Sequence, residues 1–359
     1  MTESAPPRSI CLLRLSALGD VCNCAALVTA VQQALPTSRI TWLIGRREHA
    51  LVEDMTGIDF IVCDKQAGWA GLRSTRRALA GHRFDVLLHA QVSARSNLLA
   101  TLVRADRRIG FDHQRAREGH GLVVQERIAA VPGQHQALAF LEFARALGLP
   151  VDSVERRLPI PESALAFARH HQPEARRAVL ISPASSHAGR NWNPAGYARV
   201  ADWVIRETGR PVILIGGPGR TERELGDRIE AEMTNRATNL IGQDTLKDSL
   251  AMLDRAACLV SPDSGPVHFA AALGTPVVGL YAATWSRRSG PLGSLEHCVD
   301  QYPEAARRFY GREPEELRWG QRIEKSGVMD LITSDMVIER LENLLTHPDR
   351  QRATAQPDR

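Results

Sequence analysis

Cys258-Leu-Val-Ser-Pro-Asp-Ser-Gly-Pro-Val-His-Phe-Ala-Ala-Ala-Leu-Gly-Thr-Pro-Val-Val-Gly-Leu-Tyr281 reads as a buried strand, a tight loop, a helix of small residues, a turn and a second buried strand. Asp263-Ser-Gly265 stands at the carboxyl end of the first strand and opens the helix. A helix start offers unpaired N–H groups and the positive end of a dipole, which suits a phosphate. Gly265 permits close backbone approach and Pro266 suits the first helical turn. An ordinary N-cap made of Asp or Ser satisfies the same residues.

The same strand–loop–helix unit recurs on both sides of this stretch. Apolar runs suited to buried parallel strands fall at 10–15, 39–44, 60–63, 84–89 and 108–111, alternating with helical spacings at 21–35, 73–80, 94–102 and 136–147. Pro150 to Pro173 is punctuated by prolines, and the linker is expected there. The alternation then restarts, with strands at 178–182, 211–215 and 239–241 and helices at 194–207, 221–233 and 245–256. Such a pattern predicts an α/β protein of two Rossmann-like doubly wound domains facing across a cleft. The expected division is an N-terminal domain over 1–165, a C-terminal domain over 166–332, a last helix over 333–346 and a disordered tail over 347–359.

Composition agrees with a globular enzyme or binding module: 43% apolar and 24% charged residues over 359 positions. No apolar run is long enough to span a membrane and no signal peptide is evident, so a cytoplasmic protein is expected. The six cysteines are irregularly spaced and read as reduced core thiols. The net charge is only +4, yet Arg73–Arg117 holds ten arginines against Asp85, Asp106 and Asp112. This basic segment suits a phosphorylated substrate or anionic lipid, or is simply a solvated face. Nucleic acid is disfavoured because interleaved aromatics are nearly absent there.

Four loops at carboxyl ends of strands carry candidate chemistry. In Ser16-Ala-Leu-Gly-Asp20 the carboxylate is placed for a general base or for a helix cap. Ser182-Pro-Ala-Ser-Ser186 with Arg190 forms either a metal-free phosphate grip or a hydroxyl turn beside a surface arginine. Gly216-Gly-Pro-Gly219 permits close approach of a nucleotide, and Glu222 either accepts ribose hydroxyls or favours the first helical turn. His268 lies one turn inside the helix of the opening stretch, in a structural or a catalytic role. A dinucleotide G-x-G-x-x-G is absent, as are a G-x-x-x-x-G-K-[ST] loop, H-E-x-x-H and G-x-S-x-G.

Taken together, Leu13-Arg-Leu-Ser-Ala-Leu-Gly-Asp20, Ser182–Ser186 with Arg190-Asn-Trp192, Gly216-Gly-Pro218 and Asp263-Ser-Gly-Pro-Val-His268 resemble glycosyltransferase family 9, the ADP-heptose:lipopolysaccharide heptosyltransferases. The resemblance runs from about residue 9 to 345 and is nearest a heptosyltransferase I-like subgroup. It implies a GT-B fold whose last helix crosses back to the first domain. It also implies metal-independent, inverting transfer of heptose from ADP-heptose to the inner core of lipopolysaccharide, with no cofactor. By position, Asp20 matches the general base, while Ser185, Ser186 and Arg190 match residues that hold the diphosphate. Asp263 matches the sugar contact, Ser264 and Gly265 match backbone donors to the phosphates, and His268 matches a histidine near the donor. Glu222 matches the ribose-binding acid, at a spacing to Asp263 that departs from the family's. Ser16, Arg107 and Arg108 are expected on the acceptor side, with the basic segment meeting acceptor anions or the inner membrane's cytoplasmic face. Other readings are transfer from a different nucleotide sugar to a cell-surface glycolipid, a non-catalytic sugar-nucleotide-binding module, and a GT-B epimerase.

Overall fold

A computed structural model of the chain describes residues 6–151 and 154–346, so the expected tail at 347–359 lies outside the described residues. The chain divides into two compact units, up to Pro159 and from Ile160. In the first, β1 (Ser9–Leu13), α1 (Leu18–Ala34), β2 (Arg39–Gly45), α2 (Arg46–Val52), β3 (Ile58–Cys63) and α3 (Gly68–Ala78) are followed by β4 (Phe84–His89), α4 (Ala94–Leu102), β5 (Ala105–Gly110), β6 (Glu126–Arg127) and α5 (Gln136–Ala146). In the second, α6 (Glu162–His171) precedes β7 (Val179–Ile181), α7 (Pro194–Thr208), β8 (Val212–Leu214), α8 (Arg220–Glu232), β9 (Thr238–Asn239) and α9 (Leu246–Arg255). Then come β10 (Cys258–Pro262), α10 (Gly265–Ala272), β11 (Val277–Tyr281), α11 (Ser286–Ser289), β12 (Val299–Asp300), α12 (Tyr302–Tyr310) and α13 (Ser334–Thr346).

Each unit holds one six-stranded parallel sheet, in the orders β3-β2-β1-β4-β5-β6 and β12-β11-β10-β7-β8-β9. Counted within its own unit, each sheet is the 3-2-1-4-5-6 arrangement of a Rossmann fold. The topological switch falls between β1 and β4 in the first unit and between β7 and β10 in the second. Ligands of open α/β sheets bind outside the carboxyl ends of the strands at such switches.

The central strands are short apolar runs because helices cover both faces of a parallel sheet. Cys11, Leu13, Leu43 and Leu87 join one core cluster; Val179, Ile181, Val260, Val278 and Leu280 join another. All six cysteines are buried free thiols, and burial pushes those of Cys22, Cys24 and Cys258 up to about 12.

The division into units falls inside the segment expected to hold the linker. The proline-punctuated segment expected as linker contains α6, whose Ala164 and Ala168 are buried and which packs on α9; the division falls at Pro159/Ile160 rather than 165/166. Prolines mark this helix's N-terminal edge, with Pro161 as N-cap, instead of forbidding it. The last helix, α13, was expected to pack back on the N-terminal domain. Within the second unit its buried Val337, Leu341 and Leu344 belong to the core, and it packs on α7.

Candidate active site

In the first unit the site is built on the loop after β1. The N-cap of α1 is Ala17, which supplies no side-chain cap, and Asp20 sits in the first helical turn. Asp20 is therefore not the N-cap. One carboxylate oxygen, Oδ2, accepts from Arg14 Nη2, and the other, Oδ1, accepts from Gln136 Nε2 at 2.6 Å. Arg14 is only 7% exposed, an unusual state for a guanidinium, and its other amino group donates to the Ala90 carbonyl at 2.7 Å. Its planar head lies over the Phe140 ring, 5.3 Å from the centroid. An ion pair, a backbone carbonyl and an aromatic face together compensate its burial. Ser16 is half-buried beside this group, its hydroxyl within 3.4 Å of Gln91 Nε2, while Gln91 Oε1 accepts from the Leu15 N–H at 2.6 Å. Ala90 and Gln91 follow β4, so the loops that meet here are those on either side of the switch.

In the second unit the loop after β7 and the opening of α10 come together. Arg190 Nη1 donates to Asp263 Oδ2 at 3.1 Å, and both side chains are largely buried. Its Nε is buried without a hydrogen-bond partner. Arg190 is thus no surface arginine. The Ser185 hydroxyl accepts from the His187 N–H at 3.1 Å, and the Ser185 N–H donates to Asn191 Oδ1 at 2.7 Å. Ser185 therefore does fold the loop as a hydroxyl turn, while Ser186 is exposed. Burial first, then the charges of Arg190 and Arg322, hold His187 below the usual imidazole range.

Ser264 occupies the N-cap position of α10 but makes no side-chain cap; its hydroxyl meets Ser261 Oγ at 2.9 Å. With Asp263 turned to Arg190, the helix start is left to Gly265, Pro266 and the backbone, and His268 is half-buried one turn in. At the end of β8, Glu222 Oε2 accepts from the Gly217 N–H at 2.6 Å. A Cβ on Gly216 or Gly217 would lie 3.1 Å from that carboxylate, so glycines let the loop close over Glu222. Nearby Asp244, one of whose oxygens is buried without a partner, has its carboxyl pushed up to about 6 by burial, with Asp248 and Glu222 adding repulsion.

Arg107 and Arg108 do not join Asp20. Both lie on β5, where Arg107 grips Glu126 with two hydrogen bonds of 2.8 and 2.7 Å. Arg108 donates to the carbonyls of Ala100 at 2.8 Å and Val103, closing the end of α4. Both guanidinium groups are thus engaged in contacts within the unit, which a count of charge along the chain cannot reveal. Conversely, Arg14 and Gln136 were not singled out. Arg14 carried a signal, a guanidinium inside an apolar strand end; Gln136, 116 positions from Asp20, carried none. Among the described residues no group of three or more His, Cys, Asp and Glu side chains is placed to hold a metal ion.

Residues 72–316 match the profile of glycosyltransferase family 9 (heptosyltransferase). The chain belongs to glycosyltransferase family 9. It is 35% identical over 338 residues to the lipopolysaccharide core heptosyltransferase OpsX of Haemophilus influenzae, covering 94% of this chain and 97% of that one. Among solved structures it resembles a family 9 glycosyltransferase from Veillonella parvula, with a TM-score of 0.76 at 22% identity over 95% of this chain and 98% of that one. It also resembles E. coli heptosyltransferase WaaC with ADP, with a TM-score of 0.71 at 19% identity over 94% and 99% of the two chains. These structural likenesses fix the fold as GT-B, and family membership makes the protein a glycosyltransferase. Asp20 and the loops of the second unit lie in the strand-end positions where such a fold binds its ligands.

Proposed function

We propose that this family 9 enzyme moves heptose from ADP-heptose to the inner core of lipopolysaccharide, either Kdo–lipid A or an already heptosylated core, by an inverting and metal-independent displacement. The observation that carries the reading is the Asp20 carboxylate fixed by Arg14 and Gln136 at the carboxyl end of β1. A base must be held in one orientation within reach of the proton it takes, and two donors on opposite oxygens do that. The name of the Haemophilus influenzae relative supports lipopolysaccharide core as the acceptor class and heptose as the sugar.

In this mechanism the N-terminal unit binds the acceptor, with Ser16 beside the incoming hydroxyl, and Asp20 takes its proton as the oxygen attacks the anomeric carbon. The C–O bond to ADP breaks on the opposite face. Arg190, the Ser185 and Ser186 hydroxyls and the backbone at Ser264 and Gly265 take up the charge that develops on the diphosphate. Arg190 changes partner from Asp263 to phosphate, which frees Asp263 for the sugar hydroxyls. Glu222 receives the ribose, and His268 lies near the sugar phosphate. No cofactor takes part. A barbell-like metal clamp is unnecessary where a guanidinium and a helix start already oppose the leaving charge. The enzyme works in the cytoplasm at the inner membrane, where a lipid-anchored acceptor is presented; no described helix is long and apolar enough to cross a bilayer.

Incubation with ADP-heptose and defined inner-core acceptors tests this directly. Released ADP, an acceptor heavier by one heptose, an inverted anomer by NMR and full activity in EDTA are expected. ADP release without a heavier acceptor points to a hydrolase or a donor-binding module, and a divalent-cation requirement contradicts the arginine-based leaving-group site.

A further inference from the structure

The N-terminal unit carries a concavity whose lining does not include Asp20. It lies between α3 and α4, has a volume of about 240 Å³, and is lined by Leu15, Trp69, Leu72, Leu98 and Leu99 with Lys65 and Arg95 at its edge. An engineered apolar cavity of about 150 Å³ already holds benzene, so this space accommodates several methylenes. Its mouth is apolar and open: Trp69 is 77% and Leu98 51% exposed. Elsewhere this unit keeps its tryptophan inside, with Trp42 fully buried.

The rim is cationic. Arg73 and Arg76 follow Trp69 and Leu72 on one stripe of α3, at helical spacings of four, and Arg77 is exposed beside them. No acid occurs in α3. The acids near the pocket are already engaged: Asp64 accepts from Arg46 Nε at 3.1 Å and from the Gln66 N–H at 2.8 Å, and Glu48 pairs with Lys65 at 3.4 Å. Arg95 donates to the Lys65 carbonyl at 3.2 Å. Among the described residues Arg73, Arg76 and Arg77 form no ion pair, so the face presents uncompensated positive charge around an exposed indole. An amphipathic element of this kind, with Trp and Leu flanked by arginines, suits the boundary between lipid head groups and acyl chains.

We propose that the α3–α4 face is a membrane-docking surface for anionic phospholipid: Trp69 and Leu98 enter the interface, one acyl chain enters the pocket, and Arg73, Arg76 and Arg77 meet head-group phosphates. This deepens the proposed action on a lipid-anchored acceptor by naming the surface that brings the enzyme to the bilayer. It rests on that reading only for its purpose, because vesicle binding is measured without ADP-heptose or acceptor.

The test is co-flotation of the full chain with phosphatidylcholine vesicles with and without phosphatidylglycerol. Binding to the anionic vesicles, its loss in high salt, and a vesicle-induced tryptophan blue shift that disappears in Trp69→Ala are expected. Arg73→Glu with Arg76→Glu lowers partitioning about tenfold or more, as the loss of surface cations near anionic lipid requires. Trp69→Ala with Leu98→Ser lowers it about tenfold even at low salt, each methylene withdrawn from the bilayer counting for about fourfold. Both double variants keep ADP affinity, melting temperature and turnover on a deacylated, water-soluble acceptor, while KM for a vesicle-embedded acceptor rises. Undiminished flotation of both overturns the inference while leaving the transferase reading intact. So does concentration-dependent self-association that Trp69→Ala abolishes, since that makes the face an interface between copies. Absence of transfer from ADP-heptose, with flotation as expected, overturns the transferase reading alone.

Discussion

Each unit places an arginine–aspartate pair at the switch point of its sheet, and the two pairs are finished differently. In the first, Asp20 is the surrounded partner: Arg14 and Gln136 take one carboxylate oxygen each, and Arg14 is itself braced by the Ala90 carbonyl and Phe140. In the second, Arg190 holds Asp263 by one amino group, where Arg14 uses both of its own; the Nε of each arginine is buried without a partner. A carboxylate fixed at both oxygens is built to stay put, as a positioned base must. A guanidinium engaged through one amino group keeps a second one for an arriving phosphate. One pair holds its acid still; the other keeps its cation ready.

The contrast breaks first at Asp20. Asp20→Asn keeps the shape and the contact with Arg14 but removes the proton acceptor, so kcat falls at least about a hundredfold while ADP binding by calorimetry is unchanged. Turnover within a few-fold of the parent would take the base role from Asp20. Arg190→Met is the mirror experiment: ADP affinity falls about ten- to a hundredfold, the loss expected for a charge-assisted contact to phosphate. Arg190→Lys recovers only part of it because a point charge replaces a fork. Unaltered ADP affinity in Arg190→Met would mean that Arg190 is a structural partner of Asp263 and nothing more.

The N-terminal unit also carries a buried histidine pair that responds to acid. Beside the Asp20 loop, the buried His89 and His120 both donate to Asn97 Oδ1, at 2.9 and 3.2 Å, and the Phe111 N–H donates to His120 Nε2 at 3.0 Å. The accepting Nε2 makes the His120 ring neutral, and His89 Nδ1 is buried without a partner. Burial, with the neighbouring His120 adding, lowers His89 to about 3, and burial with Arg127 lowers His120 to about 4. Both values lie below the roughly 6.5 of an unfolded histidine, so the unfolded chain binds more protons as pH drops. Stability is full above about pH 6.5 and is lost as pH falls towards 4, by about 2 kcal/mol per ring at pH 5. Melting temperature measured between pH 7 and 5 checks this, and His89→Leu flattens the slope. Equal slopes in parent and variant would show that these rings do not drive it.

What was legible in the sequence was whatever is local. The strand-end loops announced themselves because a run of buried strand residues followed by Asp, Ser or Gly and then a helix can be read within about ten positions. Hence the segments that carry Asp20, Arg190 and Asp263 could be read, each following a strand. What chain order hides is pairing. Arg107 and Arg108 looked free because Glu126 and the end of α4 are far from them in any reading of charge along the chain, yet they are neighbours across the β5–β6 edge and the α4–β5 turn. Helix α6 was missed for a related reason: two prolines precede it and its apolar face is small, so only contact with α9 shows what it is for.

Gln136 is the sharpest instance, and it offers the finest probe of the comparison. It is the first residue of α5 and reaches across to Asp20 Oδ1 at 2.6 Å. If two-point fixation is what sets the N-terminal pair apart, removing this donor converts Asp20 into a carboxylate held at one oxygen, as Asp263 is. Gln136→Leu preserves side-chain bulk and leaves the Arg14 contact, so the fold and ADP affinity are retained. One neutral hydrogen bond corresponds to about 1 kcal/mol, or about a fivefold loss of kcat with little change in donor KM. Gln136→Glu sharpens the test, since a second carboxylate repels the first instead of donating to it, and turnover falls further than in Gln136→Leu. Equal turnover in parent, Leu and Glu variants would show that Arg14 alone orients the base, and the two pairs would then differ in burial and not in design.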